Sequence, residues 1–348
     1  MKKLHLSPSQ VHTRLVREHV PTMSFALQAE SADLKSWQTR LRRKLVQRSG
    51  YDRMPRDKTP LNVRTLWKRP LGPGTVEKLV FTSEPGSDVV GYLCLPAAGE
   101  RPPAVFICLQ GHSTGMHLSI GVSAEDEVTP VSVQGDRDFA IGCMERGVAA
   151  LCIEQRGFGQ RREQVQEASL SSAPHLSCYE ASGQALMLGR TLAAERVYDV
   201  DRAIDLLSER GDVDMKRLGL MGNSGGGLIS VLSGAMLSRV KVMMPSCGFC
   251  TYRDSVMALP HCMDNYIPGL LLDAEMSDVL GLFAPRPVVV VTGQEDEYFP
   301  IKGVRKAFRE LKAIYKAAGA EDHCHLIVGD GGHRFYAAQG WKQMLKHL

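Results

Sequence analysis

RLGLMGNSGGG, at residues 217–227, is an apolar run that ends in small residues. Leu218 and Leu220 predict a strand, and the apolar residues of 228–236 recur as they do in a buried helix. Between these two elements, the pattern G-x-S-x-G places Ser224 on a tight strand-to-helix turn. Glycines flank such a serine because a Cβ there would collide with the neighbouring strand and helix. The pattern is short enough to arise by chance, so its meaning depends on the rest of the chain.

A nucleophilic serine needs a base, and the base needs a carboxylate, which predicts an acid and then a histidine farther along the chain. The buried-strand run 288–291 leads into TGQEDEYFP, residues 292–300. We assign Asp296 as the acid because G-x-x-D-x-x-x-P is the usual form of this loop. Glu295 and Glu297 are the alternatives, and the non-catalytic interpretation is a solvated acidic turn.

The histidine follows a short strand at 325–328, in the sequence GDGGH at 329–333. The glycines allow this loop to bring His333 over the edge of the sheet. A histidine in a loop is by itself most often a surface residue. Serine, acid and histidine in this order, each after a predicted strand, together predict a catalytic triad with His333 as general base.

Backbone N–H donors for a developing oxyanion are predicted at two places. One is Gly225, the residue after the serine. The other lies in QGHSTG, residues 110–115, which follows the apolar strand 104–109. We assign the backbone N–H of His112, with Ser113 one residue away. The imidazole of His112 either lines the pocket or packs against its neighbours.

These motifs resemble the α/β-hydrolases, and within them the branch of acetyl xylan esterases and dienelactone-hydrolase-like proteins. The resemblance runs from about residue 75 to the end, through the elbow and the blocks 110–116, 155–159 and 261–269. It implies a serine carboxylesterase that hydrolyses short-chain, acetyl-type esters of small molecules or sugars through an acyl-enzyme, without a metal or organic cofactor. Dienelactone hydrolases proper use cysteine where this chain has Ser224, so their activity is not implied.

The order of elements predicts an α/β fold, in which a mostly parallel sheet of about eight strands is covered by helices on both faces. Residues 1–70 are predicted as a helix-containing extension, and 71–348 as the catalytic domain with insertions at 112–134, 155–188 and 245–280. The predicted strands lie at 76–81, 89–95, 104–109, 148–153, 217–221, 240–244, 288–291 and 323–328.

Insertions of this kind shape the substrate pocket. Ser113, Arg156, Tyr298 and Phe299 are the candidate wall residues. Arg156 either binds a carboxylate or carbohydrate group of the substrate or ties loops together through backbone carbonyls. The chain has only three Trp, which favours small esters over a polymeric sugar.

Composition is that of a globular enzyme, with 44% hydrophobic and 23% charged residues among 348. The net charge is +4, and the basic residues of 40–48 are interpreted as the solvated face of an amphipathic helix, not as a nucleic-acid site. No apolar run reaches the length of a membrane span, and no apolar segment follows the first lysines. We therefore expect a cytoplasmic protein whose partner is a small-molecule ester. Its oligomeric state is open, a homo-oligomer included.

The nine cysteines include the C-x-x-C pair Cys247 and Cys250, with His261 and Cys262 beyond it. Zinc or redox chemistry would need a second matched pair or a thioredoxin-like pattern, and neither is present, so no metal is predicted. Two rival functions remain open. One is a serine peptidase or amidase of the same fold, and the other is a non-catalytic relative that binds a ligand.

Overall fold

The computed structural model describes residues 6–27, 33–97, 99, 101–112, 114–162 and 177–348. Nine strands form one sheet in the order β1-β2-β3-β5-β4-β6-β7-β8-β9. In chain order these are β1 (Arg64–Leu71), β2 (Gly74–Glu84), β3 (Ser87–Pro96), β4 (Ala104–Leu109), β5 (Ala149–Ile153), β6 (Asp214–Asn223), β7 (Val242–Ser246), β8 (Val288–Gly293) and β9 (Cys324–Gly329).

The sheet is mostly parallel, as predicted. β1, β2 and β3 form an antiparallel meander, and β3 runs antiparallel to β5. From β5 to β9 all neighbouring strands are parallel. The carboxyl ends of β4 and β6 to β8 therefore lie along one edge, where loops can meet to form a site.

The sheet has one strand more than the eight that the sequence predicts. Arg64–Leu71 was placed in the N-terminal extension, but it pairs with β2. Most of its residues are exposed, so it lacks the buried apolar run that marks the other strands. An edge strand of this kind carries little periodic signal.

The described part of the chain contains ten α-helices. They are α1 (Pro8–Glu18), α2 (Leu34–Ser49), α3 (Phe139–Met144), α4 (Ser177–Met187), α5 (Leu192–Ser208), α6 (Gly225–Met236), α7 (Leu270–Asp273), α8 (Met276–Gly281), α9 (Ile301–Ala317) and α10 (Ala337–Met344). One buried cluster joins the sheet to α2, α5, α6, α8 and α9, and a second joins its opposite face to α3 and α10. None of the described helices is long and apolar enough to cross a bilayer.

Helix α2 belongs to the main core although it lies in the predicted extension. Asp33 caps its first turn by accepting from two backbone N–H groups, and Gly50 ends it with φ 75°. Trp37, Leu41 and Leu45 are buried along one face, which confirms the predicted amphipathic helix.

Candidate active site

Ser224 stands between the end of β6 and the start of α6. Its φ of 57° and ψ of −121° are strained for a residue with a side chain. Neighbouring glycines allow the tight turn, since a Cβ at Gly226 would lie 2.1 Å from the carbonyl oxygen of Leu109. The backbone N–H of Ser224 donates to the oxygen of Ser246 on β7 at 2.9 Å. The elbow is therefore held by the two strands that flank β6.

Asp296 and His333 form a hydrogen-bonded pair between the loops after β8 and β9. His333 Nδ1 lies 2.9 Å and 3.0 Å from the two carboxylate oxygens. Oδ1 of Asp296 also accepts from the backbone N–H groups of Tyr298 and Phe299, at 2.9 and 3.1 Å. The structure thus brings Asp296 to the histidine, whereas the alternative acids, Glu295 and Glu297, are exposed.

The environment of Asp296 favours its ionised form. Burial opposes ionisation, but the hydrogen bond from His333, the charge of that ring and the bonds from Cys247 and the Phe299 amide outweigh it and hold the pKa of the carboxyl below its ordinary value. Because the carboxylate holds Nδ1 of His333, Nε2 is the ring nitrogen left to exchange a proton. This is the arrangement that a general base requires.

Ser224 and His333 line the same cavity, whose volume is about 450 Å³. Gly225 and His112, the predicted oxyanion donors, line it as well. The loop after β4 approaches the elbow closely, since a Cβ at Gly111 would lie 3.0 Å from the Cβ of Ser224. The candidate nucleophile, the candidate base and the candidate N–H donors therefore surround one space.

The imidazole of His112 is fixed from behind by groups that the sequence analysis did not identify. Its Nε2 lies 2.9 Å from Asp264, and the buried Arg196 guanidinium holds the same carboxylate. Burial raises the pKa of Asp264, but Arg196 and His112 outweigh it and hold this pKa well below its ordinary value. The ring packs against Gly225 and edge-on against Phe158, at 5.0 Å between ring centres. The two ionic residues thus fix the loop that carries the candidate oxyanion donor.

The structure describes three of the four candidate wall residues, and two of these line the cavity. Tyr298 and Phe299 both line the cavity. The ring of Phe299 is nearly parallel to that of His333 at 6.0 Å between centres, and Tyr298 meets the same imidazole edge-on at 5.2 Å. Ser113 lies outside the described residues.

Arg156 is not among the residues that line the cavity. Its guanidinium lies 2.9 Å from Asp199, 2.8 Å from Glu84 and 3.3 Å from Glu195. Its position agrees with the second interpretation of this residue, in which Arg156 joins neighbouring segments of the protein and does not bind substrate. The contacts are carboxylates of β2 and α5, not the backbone carbonyls that the sequence analysis named. Desolvation lowers the pKa of Arg156, but the charges of Asp199, Glu195 and Glu84 outweigh it and raise this pKa above its ordinary value.

Several cavity residues were not predicted. Phe158 lies in the block 155–159, and His261 lies in the block 261–269, so membership of those blocks was their only sequence signal. Arg137 lies three residues beyond the predicted insertion 112–134, in a segment without a motif. All three line the cavity, and burial lowers the pKa of His261.

Two groups of described residues bring atoms of metal-ligating type within 4.8 Å of one another: His112, Cys178, Cys262 and Asp264, and Cys247, Asp296 and His333. In the first group, the Arg196 guanidinium binds Asp264 and lies 3.4 Å from Cys178 Sγ, so a positive charge is already present. In the second group, a cation would compete with the proton on the base. Both sets are satisfied as hydrogen-bonded clusters.

The C-x-x-C pair does not form a shared site. Cys247 Sγ donates to the oxygen of Arg334 at 3.2 Å, and Cys250 Sγ contacts the oxygen of Pro300 at 3.8 Å. Cys262 is grouped with Cys178 instead.

The chain is similar to several known hydrolases. The profile of the prolyl oligopeptidase family matches residues 183–348. A candidate hydrolase of Bacillus subtilis strain 168, YtaP, is 27% identical over 281 residues, which are 80% of this chain and 88% of YtaP.

Solved structures resemble the whole chain. A candidate acetyl xylan esterase from Bacteroides fragilis NCTC 9343 superposes with a TM-score of 0.77 at 14% identity, over 94% of this chain and 82% of that one. A glucuronoyl esterase from Solibacter usitatus gives 0.66 at 18% identity, over 94% and 96%. At such identities, the comparison concerns the fold. Together with the parallel sheet and the strand order, it shows that the chain has the α/β-hydrolase fold, and in this fold it is similar to the acetyl xylan esterase and glucuronoyl esterase structures.

Proposed function

We propose that this protein is a serine carboxylesterase that hydrolyses short-chain acyl esters of small molecules or sugars. One observation carries the proposal above all others. His333, with Nδ1 held 2.9 Å from Asp296, lines the same cavity as the strained Ser224. Nucleophile, base and acid thus occur with the roles and chain order of a triad.

In the first half of the reaction, Ser224 Oγ attacks the ester carbonyl while Nε2 of His333 takes the hydroxyl proton. Asp296 keeps the imidazole in the required tautomer and stabilises the cation that forms. The N–H groups of Gly225 and His112 donate to the oxyanion. His333 then gives its proton to the departing alcohol, and an acyl-enzyme remains.

In the second half, water attacks the acyl carbonyl and His333 takes one of its protons. The tetrahedral intermediate uses the same two N–H donors. Its collapse breaks the bond to Ser224 Oγ, which receives the proton back from His333, and releases the acid. Every proton in this cycle passes through one imidazole. The chain's own residues are therefore sufficient for the chemistry.

The preference for small acyl groups rests on the size of the cavity. Its volume of about 450 Å³ is towards the lower end of ligand pockets, which span roughly 300–1,000 Å³. Phe158, Leu228 and Phe299 supply apolar surface beside the serine. A short acyl chain and a compact alcohol fit this space best.

A peptidase or amidase is the second candidate, because the prolyl oligopeptidase profile matches residues 183–348. That segment contains Ser224, Asp296 and His333, so the match supports triad hydrolysis without choosing between an ester and an amide. The leaving group decides between the two functions. An anilide substrate therefore belongs in the first assay.

The test is a series of p-nitrophenyl esters from acetate to decanoate, with p-nitroanilides of the same acyl groups, on the wild type and Ser224→Ala. We expect the fastest turnover with acetate to butyrate, little with the anilides, and a loss of about 10³-fold or more in the variant. Circular dichroism and thermal unfolding of the variant provide the control for folding. Full activity without the serine hydroxyl, or anilides cleaved faster than esters, would contradict the proposal.

A further inference from the structure

Arg137 lies on the wall of the candidate active-site cavity. Its Nε donates to the carbonyl oxygen of Gln134 at 2.8 Å. Among the described residues, no carboxylate lies within 4.0 Å of its guanidinium nitrogens. Four other arginines near the sheet differ in this respect, because each binds at least one carboxylate: Arg156, Arg161, Arg190 and Arg196.

The backbone around Arg137 is tied to both halves of the catalytic site. Its carbonyl oxygen accepts from Gln110 Nε2 at 2.7 Å, and Gln110 begins the loop that carries His112. Two residues earlier, the oxygen of Gly135 accepts from the N–H of Phe335 at 3.0 Å, just after His333. The backbone segment that carries the Arg137 side chain is therefore tied to the candidate oxyanion loop and to the histidine loop.

Among the described residues of the cavity wall, the only permanently charged side chains are two cations, Arg137 and Arg162. Its ionisable side chains include Arg137, Arg162, His112, His261 and His333, and none of the described lining residues is Asp or Glu. Asp264 and Asp296 bind the cavity histidines His112 and His333 and are already hydrogen-bonded. An anion that enters the cavity would therefore meet hydrogen-bond donors, and no carboxylate among the described lining residues would repel it.

A half-buried guanidinium without a counter-ion is unfavourable in the free protein, because the cavity walls remove part of its hydration. This desolvation lowers the pKa of Arg137. A planar guanidinium binds carboxylate, phosphate or sulfate oxygens through two parallel N–H donors, and such charge-assisted bonds are stronger in a partly desolvated site. An oxyanion on the substrate would supply the missing partner.

We propose that Arg137 binds an anionic oxygen group of the substrate, so that the preferred esters carry a carboxylate, phosphate or sulfate close to the bond that is cleaved. This inference rests on the proposed function, since it assigns a substrate class to the same serine site. It makes Arg137 a specificity residue that holds the substrate. The bond-breaking steps remain those of Ser224 and His333.

The test compares esters that differ only in charge. 4-Acetoxybenzoate and its methyl ester place the anion in the alcohol part, and the monophenyl ester of succinic acid with phenyl butyrate places it in the acyl part. Acetate or phenol release gives kcat/KM for each after subtraction of the uncatalysed rate. The proteins are the wild type, Arg137→Gln, Arg137→Lys, and Arg309→Gln as a matched loss of one positive charge on an exposed residue of α9.

We expect the wild type to prefer the anionic member of at least one pair. Arg137→Gln should lower the anionic-to-neutral ratio of kcat/KM about 10- to 100-fold, mainly through KM, and Arg137→Lys should restore part of it. Arg309→Gln should leave the ratio at the wild-type value. The ratio is insensitive to the fraction of folded enzyme, because both esters are measured on the same sample.

The possible failures are distinguishable. If the wild type hydrolyses neutral esters but shows no preference in either pair, or if Arg137→Gln lowers both members equally, this inference is wrong and the esterase proposal stands. If the wild type hydrolyses none of the four esters, the proposed function is wrong and the inference falls with it.

Discussion

Asp296 is distinguished from its two acidic neighbours by where its side chain goes. Its carboxylate is fully buried and accepts two backbone N–H groups of its own turn as well as His333. Glu295 and Glu297 point into solvent. The turn therefore positions the carboxylate of Asp296 beside the imidazole. One of its oxygens accepts the backbone N–H groups, and both oxygens lie within hydrogen-bonding distance of His333 Nδ1.

Asp296→Asn should lower kcat for acetyl esters by about 10³- to 10⁴-fold, because the amide cannot hold His333 in the tautomer that accepts the proton of Ser224. The measurement is kcat at saturating p-nitrophenyl acetate. The matched controls are Glu295→Gln and Glu297→Gln, which remove exposed charges from the same loop. We expect both to stay within about twofold of the wild type. A loss of activity confined to either control would mean that the triad acid is misassigned.

Glu154, at the end of β5, is a buried acid outside the proposed triad. Its carboxylate accepts the backbone N–H groups of Met116 and Gln160, at 3.1 and 3.2 Å, and so joins the loops after β4 and β5. Desolvation outweighs these bonds and raises the pKa of Glu154 to about 7, from an ordinary value of 4.5. The folded protein therefore keeps this proton where the unfolded chain has lost it.

This shift predicts a pH dependence of stability. From about pH 4.5 to 7, the unfolded chain ionises at Glu154 while the folded protein stays protonated, so the free energy of unfolding falls by up to about 3 kcal/mol and levels off above that window. Glu154→Gln does not titrate, so its deficit relative to the wild type should shrink as the pH rises. Urea unfolding of both proteins at about pH 5 and 8 measures the difference. Equal deficits at the two values would contradict the prediction.

At the scale of elements, the packing of α6 against β4 depends on Gly226. A Cβ there would meet two backbone oxygens, those of Leu109 at 2.1 Å and Gln110 at 2.7 Å. These backbone atoms cannot move aside as the end of a flexible side chain can. Helix α6 would therefore have to shift away from β4, and Ser224 would shift with it. The position of Ser224 therefore depends on the same close packing of α6 that requires glycine at position 226.

Gly226→Ala should therefore destabilise the fold by about 2–3 kcal/mol or more and lower esterase activity in the folded fraction. Urea unfolding and the acetate assay measure the two effects. Gly183→Ala in α4 is the matched control, because among the described residues no heavy atom outside its chain neighbours and its own helix backbone lies within 4 Å of the added Cβ. Its effect should be neutral, or stabilising by up to about 1 kcal/mol from helix propensity. If the two substitutions changed stability and activity equally, the close packing at Gly226 would not be the cause of the loss.

How much of these elements the sequence could predict depends on the kind of signal. Ala104–Leu109 is found with the predicted bounds, because both faces of β4 are buried and all its residues are apolar. Arg64–Leu71 was missed, since an exposed edge strand needs no alternation. The pair of Arg196 and Asp264 was also missed. Its members lie 68 residues apart, and no local pattern states that distant charges will meet.

Helices α2 and α10, which lie far apart in the chain, pack on opposite faces of the one sheet. Trp37 in α2 is 1% exposed in the main cluster, and Trp341 in α10 is 1% exposed in the cluster on the opposite face. Trp37 also donates its ring N–H to the oxygen of Met23 at 2.9 Å. The division at residue 70 remains a prediction about the sequence, but the buried surface of α2 is continuous with that of α6 and α8.

Trp37→Ala should lower the free energy of unfolding by about 3–5 kcal/mol, through lost burial and the cavity it leaves. Because α2 shares the main core, tryptophan fluorescence and circular dichroism should report one coincident transition. Leu15→Ala is the control, as this residue of α1 is half exposed and should cost less than about 0.5 kcal/mol. A separate early transition in the wild type would mean that the N-terminal segment folds independently.

The residues of the proposed triad follow parallel strands, whereas the cavity walls at Arg137, Phe158 and His261 belong to connections of varied length. A library that randomises only these three wall positions would alter which compounds are admitted while the reactive atoms keep their spacing. The reactive residues are thus carried by the sheet, and the residues that select the substrate are carried by the connections between its strands. That division makes the protein a practical starting point for the directed evolution of new ester selectivities.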